Sequence, residues 1–195
     1  MYPLVHAGLD AVCGMLALAV ASRALNAYRA IRIPRIYRLA VSFVLLSAAC
    51  FFSCMTSIIA SAGGELATPS FLLTFSSLLS MIAFLLLAAS YLPSREVPPL
   101  AVMTPLLLVR YSAEVVAALA ALVVTVSITL EFLDKRRPAT AASLTAFLLL
   151  TASHTIFGLC PEYPPPSPVL IAQVLRVVAY TLLLVAISAH RRGLG

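Results

Sequence analysis

A chain of 195 residues in which 62% are hydrophobic and only 10% charged, with a mean hydropathy of +1.06, lies far from the half-apolar, quarter-charged make-up of soluble domains. It reads as one integral membrane domain and not as a soluble enzyme. The net charge of +6 sits in short basic clusters between apolar runs. That is how cytoplasmic flanks meet anionic lipid, and it is not a nucleic-acid face.

A hydrocarbon core about 30 Å thick takes about 20 residues of helix. The first apolar run, residues 3–27, has no cationic segment ahead of it and meets its first arginines, Arg23 and Arg29, only toward its end. This predicts a retained helix with its N-terminus outside. The second run, residues 37–62, follows the cluster Arg29, Arg32, Arg35 and Arg38 and stops at Gly63. The third, residues 70–91, starts behind Pro69, which suits the first helical position after Thr68. Residues 97–109 (VPPLAVMTPLLLV) contain Pro105 and as a helix reach only about 20 Å. Topology favours a crossing there all the same. With it, Lys135, Arg136, Arg137, Arg191 and Arg192 join the first basic cluster in the cytoplasm; without it, they land outside. Arg95 and Arg110 would ease the ends of this short span. Residues 113–132, 141–157 (capped by Thr140, ended by Gly158) and 168–189 (after Ser167) complete the series. The expected fold is an all-α integral membrane protein: a seven-transmembrane-helix bundle with an external N-terminus, a cytoplasmic C-terminus and a short fourth helix.

Residues 42–52 (SFVLLSAACFF) match residues 146–156 (AFLLLTASHTI), with Phe43/Phe147, Leu45/Leu149, Leu46/Leu150 and Ala48/Ala152 coinciding. Two readings stand. One is a parallel 3+1+3 repeat, with the fourth helix as the inverting linker, a layout known among transporters. The other is coincidence between two Leu/Ala-rich helices.

Ionisable groups inside a bilayer cost several kcal/mol unless paired or wetted, so they are the default functional residues. By the topology above they share the outer half of the membrane: His6 and Asp10 one turn apart in the first helix, Glu114, His154, and Gln173 with Arg176 in the last helix. Asp10 and Arg176 are expected to face one another, either as the floor of an externally open polar pocket or as a structural ion pair. His6, Arg110 and Glu114 lie close enough to helix ends to reach water by snorkelling. His6 and His154 could also serve as axial ligands of a b-type haem, and Cys50, Cys54 and His154 as a soft-metal site; a hydrogen-bonded histidine and buried apolar cysteines are the plainer readings. Four cysteines without a C-x-x-C argue against a disulfide framework. Ala7/Ala11 and Ala113/Ala117/Ala121 read as close-packing seams, and residues 160–167 (CPEYPPPS) as a stiff external cap.

The expected layout resembles both microbial rhodopsins and SWEET sugar transporters. A rhodopsin-type Schiff base needs a lysine in the seventh helix, whereas the single lysine, Lys135, lies in a loop; the mid-helix prolines of the SWEET type are missing from the first, second, fifth and sixth helices. The arginine-rich turn after the first helix, FLLLTASH (147–154) and QVLRVVAYTLLLVAI (173–187) resemble small archaeal polytopic membrane proteins and the seven-helix sensor modules that precede histidine kinases. That resemblance implies a ligand-sensing module; since no output domain follows Arg192, it would signal through a separate membrane or signalling subunit. With no enzyme motif in view, the expectation is a non-enzymatic ligand-sensing module or accessory subunit. A secondary transporter and a haem electron-transfer subunit are the alternatives.

Overall fold

The computed structural model describes residues 2–63, 67–91, 109–135, 138–159 and 166–192. Among these, six helices are each long and apolar enough to cross a membrane: α1 (Tyr2–Ile31), α2 (Pro34–Ser61), α3 (Ala67–Tyr91), α4 (Val109–Lys135), α5 (Pro138–Leu159) and α6 (Pro166–Arg192). The chain is a membrane protein of the all-α class. The short fourth span expected at residues 97–109 lies outside the described residues, except that Val109 opens α4.

Local chemistry places the breaks. Pro34 has no N–H to donate and opens α2; it holds the preceding Ile33 extended, at φ −81° and ψ 120°. The chain turns there through Arg32 at φ 56°, whose N–H still bonds Tyr28 O at 2.7 Å. Gly63, at φ 76°, follows α2 in the left-handed conformation that favours glycine. Several expected boundaries move. α3 starts at Ala67, so Thr68 and Pro69 both lie in its first turn. α5 starts at Pro138, so Thr140 lies in its first turn and is not its cap, and Gly158 sits within the helix, one residue before its end. α6 starts at Pro166, ahead of Ser167. Proline is tolerated anywhere in a first turn, where the amide has no acceptor, so Pro138 and Pro166 extend these helices N-terminally.

Each helix packs against the next, and α6 returns to α1, closing a ring. Neighbours along the chain run antiparallel: Ser47 Oγ donates to Gly14 O between α1 and α2, Ser76 Oγ to Ala49 O between α2 and α3, and Ser153 Oγ to Ala172 O between α5 and α6. Gly158 against Val115, with Thr151 beside Thr125, ties α4 to α5. α3 and α4 differ. Ser77 meets Glu114 near both N-termini. At the other end Arg35 lies 3.8 Å over the Tyr91 ring and 4.0 Å from Glu131. The two helices are therefore parallel, and the C-terminus of α3 and the N-terminus of α4 lie at opposite ends of the bundle. α6 and α1 are parallel too, joined through Gln173 and His6.

The ring's centre is filled. Tyr180, Phe43, Phe84, Phe147, Leu46, Leu87, Leu150, Val20 and Val124 are its largest fully buried apolar side chains. They fall at matched positions: Val20 and Val124, Phe43 and Phe147, and Leu46 and Leu150 are each 104 residues apart, while Phe84 and Tyr180, and Leu87 and Leu183, are 96 apart. The alanine seam expected at Ala113, Ala117 and Ala121 is buried, and small residues there let backbones approach closely. Gly14 does the same for α1, where an added Cβ would come within 3.2 Å of the Phe51 ring.

Candidate functional site

Near the N-terminal ends of α1, α3, α4 and α6 the packed core gives way to a layer of buried polar groups. Asp10, Glu114, His154, Gln173 and Arg176 are all at most 8% exposed, and His6 is half-buried beside them. Six of the residues singled out in the sequence are thus gathered from α1, α4, α5 and α6 into one layer.

Glu114 is its best-connected member. Ser77 Oγ donates to Oε1 at 2.9 Å, His154 Nδ1 lies 2.7 Å from Oε2, and Arg176 Nη2 lies 3.9 Å from the same oxygen. A carboxylate only accepts, so the 2.7 Å contact assigns a proton to His154 Nδ1. Arg176 further donates from Nε to Ser153 Oγ at 3.0 Å, contacts His154 Nδ1 at 3.4 Å, and lies 4.3 Å over the Phe157 ring. The His154 ring is packed edge-on to Phe84, centroids 4.7 Å apart. In the other half of the layer, Ser53 Oγ donates to Asp10 Oδ2 at 2.6 Å, and His6 Nδ1 lies 2.6 Å from Gln173 Oε1, with Gln173 Nε2 reaching back to His6 O at 3.4 Å. Among the described residues, two buried side-chain atoms have no hydrogen-bond partner: Asp10 Oδ1 and His154 Nε2.

This arrangement corrects the sequence reading in three respects. The carboxylate in direct contact with Arg176 is Glu114, not Asp10; Asp10 feels Arg176 electrostatically, but its hydrogen bond is to Ser53. Glu114 does not snorkel to a helix end, because α4 begins five residues earlier and Glu114, in its second turn, is buried inside the ring. Nor do Asp10, Glu114, His154, Gln173 and Arg176 line an open pocket, since all five are buried; His6 is half-buried. His6 and His154 each use Nδ1 on a different side chain. Among the described residues no three His, Cys, Asp or Glu side chains gather to hold a metal. Cys50 is buried and interacts with Cys13. Sequence reasoning missed Ser53, Ser77 and Ser153, and no pattern in the chain separates these serines from the other helix serines that bond their own preceding turn, such as Ser22 and Ser90.

At the opposite end of the ring lies a cavity of about 470 Å³. Its walls are mostly apolar, and its polar lining includes Arg23, Asn26, Tyr91, Glu131, Ser143 and Ser188. The Arg35 contacts to Tyr91 and Glu131, and an Arg38 bond to Ala89 O at 3.2 Å, brace its rim. At 1.5 Å per residue, about 15 Å of helix separates Arg176 from Ala186 in the cavity wall, and the buried aromatic and leucine side chains fill that interval.

No family model, no curated protein and no solved structure matches the chain.

Proposed function

We propose that this chain is a non-enzymatic multi-pass protein of the cell membrane that binds a small solute or ion at the buried charged layer and carries it across the bilayer. The observation that carries this reading is axial: the charged layer and the vestibule lie at opposite ends of one helix ring, separated by a packed plug. A ligand-sensing module or accessory subunit, the other reading of this sequence, would need the charged layer alone and leaves the vestibule without a role.

Two further inferences belong to the proposal. The chain crosses seven times, with residues 92–108 returning from the end of α3 to the start of α4. The support is the parallel course of α3 and α4, whose joined ends are separated by about 28 Å along the bundle at 1.5 Å per residue. The basic clusters that end α1, α4 and α6 then share one end, which the positive-inside rule makes cytoplasmic. The second inference is a 3+1+3 build from two parallel halves, α1–α3 and α4–α6. Its support is the closed ring order and the matched burial at fixed spacings. Carriers built this way bind at the interface between halves and rock one half against the other.

Two-sided thiol labelling tests the carrier reading without knowledge of the solute. The native cysteines are replaced, Ser77→Cys is introduced in the layer, and impermeant reagent is applied to sealed vesicles from either side. A carrier exposes this position to both sides in turn, so label enters from both; reaction from one side alone overturns transport and leaves a static binding module. Single cysteines at Gly63, Arg32 and Lys135 test the crossing. Arg32 and Lys135 should label from the same side, opposite to Gly63, and labelling of Lys135 from the Gly63 side refutes the seventh span.

A further inference from the structure

The two halves of the ring place their acids at matched positions, Asp10 in α1 and Glu114 in α4, 104 residues apart. Their surroundings differ. The positions that hold His154 and Arg176 around Glu114 are occupied in the first half by Cys50 and Ser80, at the same spacings of 104 and 96. Glu114 therefore has two nitrogen partners, whereas Asp10 has the Ser53 hydroxyl at 2.6 Å, the Gln173 side chain close by, and a second oxygen, Oδ1, that is buried with no hydrogen-bond partner among the described residues. With neutral imidazoles the layer holds two carboxylates against one guanidinium, one negative charge in excess in a low-dielectric interior. A single proton removes the excess.

We propose that Asp10 is the proton-exchanging group of this layer, a carboxylic acid in one state of the carrier and a carboxylate in another; this rests on the carrier reading above. Protonation forms one O–H bond at Asp10 with a proton taken from the aqueous phase to which the layer opens, and deprotonation returns it; no electrons move. An acid proton also gives the buried carboxyl a donor where it otherwise offers only acceptors, and buried polar atoms without partners are the exceptions that call for such an account. His154 is the less suitable carrier of the extra proton, because a second charge on its ring would stand 3.4 Å from the Arg176 guanidinium. The groups that face Asp10 are consistent with exchange. From α1 comes His6, from α2 Ser53, Cys50 and Cys54, and from α6 Gln173, Arg176 and Tyr180; Arg176 is the one fixed cation among them and is already engaged by Glu114.

The test is infrared difference spectroscopy of the full chain in lipid nanodiscs, titrated with pH in potassium buffers. A protonated buried carboxyl absorbs as a C=O stretch apart from the carboxylate bands and shifts in heavy water. The expected result is one such band that titrates, disappears in Asp10→Asn, moves in frequency in Asp10→Glu and persists in Glu114→Gln. The Asp10→Glu variant keeps the group and so guards against a fold lost in Asp10→Asn. Absence of the band at every pH, or its loss in Glu114→Gln with retention in Asp10→Asn, overturns the proposal. So does a sodium-dependent thermal stabilisation, abolished by Asp10→Asn, in a protein that shows no band; the neutralising charge is then a metal cation. This measurement is made at equilibrium, so its failure is distinct from a one-sided labelling result, which bears on transport.

Discussion

Removing Arg176 from its contact with Glu114 is the sharpest perturbation this fold offers. At 3.9 Å and an effective dielectric of 20, the Coulomb attraction is about 4 kcal/mol, and breaking a buried pair by deleting one partner costs about 3–5 kcal/mol, since it strands the other charge. Screening by water is slight, because both side chains are about one-tenth exposed. Arg176→Gln also removes the donor to Ser153, so the cost should fall toward the upper end. For a chain of this size 1 kcal/mol moves the unfolding midpoint by about 2–4 °C, giving a loss of about 6–20 °C. The buried thiols of Cys13 and Cys50 make a thiol-reactive dye in mild detergent a suitable readout of unfolding. Glu114→Gln alone should cost a comparable amount, and the double variant should cost clearly less than the sum, as coupled residues are non-additive. The cycle of Asp10→Asn with Arg176→Gln should show the smaller coupling. If the Glu114 and Arg176 losses simply add while Asp10 and Arg176 couple strongly, the pairing derived from the geometry is wrong.

Further outcomes follow from the packing. Gly14→Leu should cost about 1–3 kcal/mol through overpacking, because the Phe51 ring already lies 3.2 Å from the site of a Cβ; Gly14→Ala should cost much less, since the half-exposed Phe51 can swing toward lipid. Leu46→Ala and Leu150→Ala, both fully buried at matched positions, should lower the same midpoint by similar amounts, each equivalent to about 2–3 kcal/mol for the cavity and lost contacts; a large difference between them would argue against equivalent halves. Glu131→Gln should change stability by less than about 1 kcal/mol, because its 4.0 Å pair with Arg35 is well exposed, and a large loss in the dye assay would show that this rim is a structural clamp.

The depth of each ionisable residue in its own helix was legible because apolar runs mark the spans and a helix advances by a fixed rise. That rise puts Asp10, Glu114, His154, Gln173 and Arg176 at similar depth, and in the structure they share a layer. The partners were not legible. Asp10 and Glu114 are acids at equivalent depth, and depth alone does not say which of them Arg176 meets. That is decided by the azimuth of each helix and by which helices adjoin: α4, α5 and α6 are consecutive in the ring, so Glu114, His154 and Arg176 converge.

The sequence by itself determined the membrane character and the six long helices found among the described residues, since these depend on composition and one-dimensional order, which the bilayer reads directly. Tertiary structure alone decided the ring order, the adjacency of α3 and α4, the choice of Glu114 as the acid against Arg176, and the cavity at the opposite end. Those features depend on how helix faces turn toward one another, and in a chain of leucine and alanine nearly every face is apolar, so the pattern that orients a soluble helix is missing.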